Sequence, residues 1–352
     1  MIILLIIIGL SVLILVHELG HFLAAKAFGV KVEEFGFGFP PRIWSSKRGE
    51  TRYSLNLLPF GGFVKIYGED GEKQNQSDSD SGRGFTVQPV WKRSVMVLAG
   101  IFMNIILGWF ILSIVFMVGA PEHLMISGVA HDSPAALADI KDGDVVFRAS
   151  FGDINLSDPL KIEDFVGLVK KAGDNEINIT LKRGNRLFGV APHGRLDPPE
   201  GQGSLGVNLV NIGFVAEPPL SALARGFTMT FQTIWLVALG FANFFAKLFV
   251  TPEVVQTIAG PVGIFMVAAQ AGSLGLIYLF QLIALISLNL AVLNLIPFPA
   301  LDGGRFVLLL VEKLKGSPIS THFQMIVNGA GLIFLIVLMI IVTVKDVSQL
   351  IN

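Results

Sequence analysis

The sequence predicts a polytopic α-helical membrane protein of four transmembrane helices. It also predicts a small inserted α/β extracytoplasmic domain and a cytoplasmic, membrane-associated β-hairpin. Three observations carry this reading. Apolar runs near 1–25, 94–118, 274–296 and 325–344 each reach the roughly twenty residues a helix needs to cross about 30 Å of hydrocarbon. Between the second and third runs the chain turns polar, with strands alternating with turns over 122–213. Basic residues crowd the stretch between the first two runs, which favours the cytoplasmic side for it. Composition agrees: 52% of residues are hydrophobic and 15% charged, against about 25% charged in soluble domains. Mean hydropathy is +0.67. A net charge of −1 gives no reason to expect nucleic acid as a partner. The absence of cysteine excludes disulfides, thiolate zinc sites and cysteine catalysis.

The first span, within 1–28, carries no charge over residues 1–16 and then His17-Glu18-Leu19-Gly20-His21. It lacks the basic start of a signal peptide and holds the histidine motif where a cleavage site would fall, so it reads as a retained span. Ionisable residues inside a membrane segment are costly and point to function. Four residues apart on a helix, His17 and His21 project from one face and can share one zinc ion. Glu18 then sits beside the metal, where it can take a proton from bound water. A chance H-x-x-x-H pair is common on soluble helices, but in this apolar setting a metal is the economical way to satisfy all three groups.

The loop 29–91 contains Lys31, Arg42, Lys47, Arg48, Arg52, Lys65, Lys73 and Arg83, so the first helix runs outside to inside. Within it, 53–58 and Gly61-Gly62-Phe63-Val64-Lys65-Ile66 read as short strands around the turn-prone Pro59–Gly62. Residues 70–84, rich in Asp, Ser, Gln and Gly, read as a disordered loop. The second span, 92–119, returns outward. In the domain 122–213, Val129 begins a strand, Ser133-Pro134 opens a short helix, and Asp142-Gly143-Asp144 turns into Val145-Val146-Phe147. A helix at about 162–172 precedes a strand over 176–182.

The segment 214–272 is the ambiguous one. Its run 227–250 places Thr230, Thr233, Gly240, Asn243 and Lys247 at spacings of three, four and seven, a weak polar stripe that suits an interfacial helix. A plain crossing is the competing reading. The third span, within 273–304, ends in Asn294-Leu-Ile-Pro297-Phe-Pro299-Ala-Leu301-Asp302-Gly303-Gly304-Arg305. Two prolines two apart cannot continue a helix, and the freed backbone must be buried or line a wet cavity. Asp302 alone would read as a loop cap; beside a two-histidine site it reads as the third ligand. Parity then argues that 227–250 does not cross. One more crossing would put Asp302 at the opposite face from His17 and His21. A cytoplasmic loop, 305–324, and the last span, 325–345, complete the chain, with its C-terminus outside.

These motifs together resemble the site-2 proteases, intramembrane zinc metalloproteases, and most of all the bacterial branch that cleaves anti-sigma factors and signal-peptide remnants. H-E-x-x-H matches at His17, Glu18 and His21, and N-x-x-P-x-P-x-L-D-G at Asn294, Pro297, Pro299, Leu301, Asp302 and Gly303. Gly100 and Asn104 match a G-x-x-x-N element, Gly61, Gly62 and Phe63 a G-G-F hairpin element, and Gly260 to Ile264 a G-P-V-G-I run. Residues 122–213 resemble a circularly permuted PDZ domain through the run Ser133 to Asp144.

The resemblance implies a zinc-dependent endopeptidase of the bacterial inner membrane acting on single-span membrane proteins or signal-peptide remnants. Glu18 would be the base, His17, His21 and Asp302 the zinc ligands. Asn104, Asn294, Pro297, Pro299, Gly61, Gly62 and Phe63 would contact substrate or shape its pocket, with interhelical contact an equal reading of Asn104. The PDZ-like domain would bind or filter substrate. A proteolytically inactive binding protein or chaperone and a zinc transporter are the alternatives. An intact Glu18 speaks against the first, and spans 94–118 and 325–344 lack the His or Asp relay of the second. His123, His131, His193 and His322 have no motif around them.

Overall fold

A computed structural model describes residues 2–69, 81–184, 186–248 and 260–351. Most of the loop expected to be disordered, 70–80, and the end of the ambiguous run, 249–250, lie outside the described residues. The chain divides into two compact units. The first comprises Met1–Ser113, Leu223–Ala269 and Leu279–Asn352, the second Ile114–Ala222 and Gln270–Tyr278.

The first unit is built on helices, of which α2, α5, α6 and α7 each have one end in the second unit: α1 (Ile2–Ala27), α2 (Val90–Val118), α5 (Pro219–Leu248), α6 (Pro261–Leu274), α7 (Leu276–Leu295), α8 (Asp302–Lys315) and α9 (Thr321–Ile351). Among the described residues, five helices are long and apolar enough to cross a membrane: α1, α2, α5, α7 and α9. α6, at 14 residues, is shorter and rises only about 21 Å. Its Ala268 packs with Ile6, Leu13, Leu279 and Ile283, against the N-terminal halves of α1 and α7. Over its first turns α5 lies on α2: Trp109 donates its indole N–H to the Leu223 carbonyl, and the Trp109 and Phe227 rings are 6.1 Å apart. A Cβ on Gly226 would collide with Ser113.

The element between α1 and α2 is larger than the expected hairpin. β1 (Val32–Arg48) is interrupted by Gly38, at φ +78°, and by Pro40-Pro41. Its second half pairs with the start of β2 (Thr51–Ile66), from Arg48 with Thr51 to Trp44 with Leu55. Its first half pairs with β2 twice: Glu34–Phe37 with Arg52–Leu55 and, on the other side, Glu34–Phe37 with Lys65–Gly62. The two expected strands, 53–58 and 61–66, are therefore not partners across a turn. The first half of β1 lies between them, and 61–66 stands at an edge. Turn residues at Pro59–Gly62 set where a strand ends, but not which neighbour pairs with it.

The ends of this sheet are tied by charge. Glu50, in the β1–β2 turn, accepts from Lys26 at 2.6 Å and Arg83 at 2.7 Å. The Arg83 and Lys26 hydrogen bonds hold its carboxyl down at about 2.

The second unit is a six-stranded antiparallel sheet with α3 (Pro134–Leu137) and α4 (Ile162–Ala172). Its strands are β3 (Ala120–Val129), β4 (Val145–Phe151), β5 (Ile154–Ser157), β6 (Asn178–Arg183), β7 (Arg186–Val190) and β8 (Val207–Phe214). They run in the order β7-β6-β4-β3-β8, with β5 on β4. α4 lays Phe165, Leu168, Val169 and Ala172 on Leu124, Ile126, Val146, Ile179 and Leu181. Ser133 caps α3 as expected, accepting from the Ala136 N–H at 3.1 Å. Val129 ends its strand rather than beginning one, because the pairing with β8 starts upstream at Ala120. Segment 270–278 belongs to this unit: Tyr278 donates its hydroxyl to the Pro121 carbonyl, and the Gln270 amide packs on Gly143.

Candidate metal centre

α1 carries His17, Glu18 and His21 into the first unit, and the first residue of α8 is Asp302. The four-residue spacing places both imidazoles on one face. His17 Nε2 is 3.2 Å from His21 Nε2 and 3.1 Å from Asp302 Oδ2, while His21 Nε2 is 3.5 Å from the same oxygen. Asp302 Oδ2 is buried, yet makes no hydrogen bond of acceptable geometry among the described residues. Ligands about 2.05 Å from a tetrahedral zinc ion stand about 3.3 Å from one another. The observed edges of 3.1, 3.2 and 3.5 Å fit that triangle, and an orphaned carboxylate oxygen aimed at two imidazoles fits a cation.

The site depends on a stripe of α2. At Met96 the backbone carbonyl accepts the His21 Nδ1–H at 2.8 Å, which leaves the His21 Nε2 lone pair for a metal. One turn on is Gly100, where a Cβ would fall 2.5 Å from His21 Nε2 and 2.7 Å from His17 Cε1. One turn further, Asn104 lies 3.3 Å from His17 Nδ1. The G-x-x-x-N element thus has a steric half and a polar half. Beside this stripe, the backbone of Ala99 packs so closely on Gly20 of α1 that a Cβ at Gly20 has no room.

Asp302 is held just as tightly. Gly303 packs on the backbone of Leu295 and Ile296, and Gly304 on that of Phe298 and Pro299. Ala300, at φ +75°, donates its N–H to the Asn328 side-chain oxygen at 3.3 Å, and Gly331 packs on Pro299. α9 therefore braces the proline loop. Further along α8, Glu312 forms a buried two-pronged ion pair with Arg93 of α2.

A cavity of about 430 Å³ opens on His17, Glu18, His21 and Asp302. Its wall includes Phe63, Val64, Lys65 and Ile66 of the edge strand, with Phe85, Met96 and Val97 as apolar lining. Gly62 sits where a Cβ would be 3.5 Å from Glu18 Cγ. Of the residues singled out from sequence, the structure gathers His17, Glu18, His21, Asp302, Gly62 and Phe63. Asn104 stands behind His17 rather than in the cavity, and Gly61, Asn294, Pro297 and Pro299 are not among the lining residues. Sequence reasoning missed the Met96 carbonyl and an ion pair at the cavity, Arg305 with Glu69 at 2.5 Å. Arg305 was findable, since it follows Asp302 by three residues on one helix face; Glu69 carried no signal.

Comparison with known proteins bears on this geometry. A zinc metalloprotease by name from Clostridium perfringens (strain 13 / Type A) is 35% identical over 96% of each chain. Another from Nostoc sp. is 34% identical over 97% of this chain and 94% of its own. The regulator of sigma-W protease RasP of Bacillus subtilis (strain 168) is 28% identical over 96% of each. The model of peptidase family M50 matches residues 5–338, a range that takes in α1, the α2 stripe and Asp302 alike, and the chain therefore belongs to that family, the site-2 metalloproteases.

Proposed function

We propose that this chain is a zinc-dependent endopeptidase that hydrolyses peptide bonds within or next to the transmembrane segments of single-span membrane proteins. The observation that carries the reading is the triangle of His17 Nε2, His21 Nε2 and Asp302 Oδ2, beside Glu18 and at the wall of a cavity edged by a β-strand. His17, His21 and Asp302 would hold the zinc, which when bound would supply Lewis acidity and make a water easier to deprotonate. Glu18 takes the proton of the attacking water and returns it to the leaving nitrogen. A helical peptide bond is shielded by its own hydrogen bonds, so the substrate must be extended at the point of cleavage. Strand 61–66 offers an edge for it to pair with, and Gly62 leaves room for a second backbone near Glu18.

The four-span topology is part of the proposal. α2 is antiparallel to α1, since Met96 meets His21 and Asn104 meets His17. Asp302 follows the C-terminal end of α7 and meets the C-terminal part of α1, so α1 and α7 run the same way. An even number of crossings must therefore separate α2 from α7. A crossing by α5 would need a second within 249–275, where α6 rises about 21 Å. Ser221 and Ser273 belong to one compact unit, which supports a segment that leaves and returns on one side. Single cysteines at both positions should label together with an impermeant outside reagent; opposite-side labelling would overturn the count.

The second unit serves as the substrate-binding or filtering domain, PDZ-like in its reading. In support, β8 is an edge strand, and a groove of about 260 Å³ between it and α4 is lined by Phe165, Val169, Leu205, Val207 and Leu209. An extended peptide can add to β8 there. The localisation that follows is the bacterial inner membrane, with this domain outside. Substrates in the class of anti-sigma factors or signal-peptide remnants suit the arrangement.

The test is cleavage of a panel of single-span substrates by the purified full chain, with and without a zinc chelator. Glu18→Gln should lower turnover by roughly 10²–10⁴-fold while zinc stays bound. Near wild-type turnover in that variant would remove Glu18 from the reaction.

A further inference from the structure

Asn104 is a buried polar side chain without an assigned task. It is 1% exposed on α2, and its amide nitrogen lies 3.3 Å from His17 Nδ1. Its amide oxygen is buried and has no hydrogen-bond partner among the described residues. Its backbone carbonyl accepts from Ser287 Oγ of α7 at 2.9 Å, so this turn of α2 is fixed independently of the side chain. It does not line the cavity that holds Glu18 and Asp302. Neither a substrate contact nor simple helix packing accounts for an amide aimed at the rear nitrogen of a metal ligand.

We infer that Asn104 is the positioning residue that sets the tautomer and ring orientation of His17. The inference rests on the zinc reading of the site. A nitrogen that binds metal carries no proton, so with Nε2 toward Asp302 the ring proton of His17 sits on Nδ1. An Nδ1–H requires an acceptor. The amide provides one by a half turn about its Cβ–Cγ bond, which exchanges the amino group for the orphaned oxygen. That turn replaces a donor facing a donor with a donor facing an acceptor. With the proton on Nε2 instead, the ring can donate to Asp302 Oδ2, 3.1 Å away, and the amino group donates to Nδ1. One amide serves both forms of the ring.

His21 is held differently. Its Nδ1 faces the Met96 carbonyl, which can only accept, so in the neutral ring the lone pair is on Nε2. The two ligand histidines therefore have unequal supports, one fixed and one adjustable. This also explains why the position is an amide rather than a hydrophobic helix contact like its neighbours Met103 and Ile105.

The experiment uses the purified full chain and measures zinc affinity by competition with a chromogenic chelator, alongside kcat and KM. Asn104→Ala should bind zinc 10- to 100-fold more weakly, with KM unchanged and turnover regained at saturating zinc. Asn104→Asp should hold zinc at least as tightly as the native chain, because its carboxylate accepts from Nδ1–H. Unchanged zinc affinity with a raised KM in Asn104→Ala would make Asn104 a substrate contact and overturn the assignment. An Asn104→Asp variant that binds zinc at least 10-fold more weakly than the native chain would reduce the position to packing, and would do so even if Asn104→Ala is not recovered folded. Failure of the native chain to bind zinc one to one would instead strike the reading of the site itself.

Discussion

Each unit of this molecule sets a largely enclosed aspartate beside a glycine, Asp144 after Gly143 and Asp302 before Gly303, and the two are treated in opposite ways. In the sheet unit Asp144 is fully buried, at 0% exposure. It accepts from the Lys141 N–H at 2.9 Å and from Arg183 Nε and Nη2 at 2.7 and 2.8 Å. Both its oxygens are satisfied, and its charge is met by a fork of matching geometry. In the helical unit the Asp302 side chain is 15% exposed, and its buried Oδ2 faces two imidazole nitrogens and has no hydrogen bond of acceptable geometry among the described residues. Asp144 holds a fold together, whereas Asp302 is held by a fold, through Gly303, Gly304 and the braced proline loop. Burial alone does not separate a structural carboxylate from a functional one; the state of its lone pairs does.

Substitution should separate them cleanly. Asp302→Ala should abolish cleavage and lower zinc affinity by orders of magnitude while the thermal unfolding of the sheet unit stays unchanged. Full zinc occupancy, read by metal analysis, would return Asp302 to a loop cap. Asp144→Ala should do the reverse. It strips Arg183 of a paired partner and should cost the sheet unit about 3 kcal/mol, with zinc bound as before. A loss of zinc from Asp144→Ala would erase the contrast.

Glu50 extends the series to a carboxylate that is partnered like Asp144 but about 30% exposed. Hydrogen bonds from Arg83 and Lys26 hold its pKa at about 2 in the folded chain, below the roughly 4.3 of an unfolded glutamate. The unfolded state thus binds the proton more readily, so this contribution is complete above about pH 4.5 and is lost as pH falls toward 2. Solvent screening makes the effect small. Glu50→Gln should flatten the acid side of the thermal-stability profile slightly; an unchanged slope between pH 5 and 3 would show that the pair contributes nothing measurable.

The sequence made local chemistry legible and left neighbours obscure. His17, Glu18 and His21 could be read because helical spacing converts sequence distance into shared direction. Asp302 could be read because a broken helix end needs a reason. The order of the strands between α1 and α2 could not be read, since Pro59–Gly62 announces a turn without saying that Val32–Phe39 lies between the strands it joins. The Met96 carbonyl was hidden for a plainer reason: every residue has one, and only the approach of α2 allowed by Gly100 brings this one to His21. Asn104 stood out as polar within a span, but which group it serves depends on that same approach.

The ligand triangle is also discontinuous in time. His17 and Asp302 are 285 positions apart (302 minus 17). At about 5–20 residues per second of synthesis, the two histidines precede their carboxylate partner by roughly 15 to 60 seconds. During that interval α1 and then α2 can dock, but the chain holds only two of the three proposed ligands. On the proposed assignment the site is thereby assembled disarmed, and it is completed only after the whole sheet unit has been made.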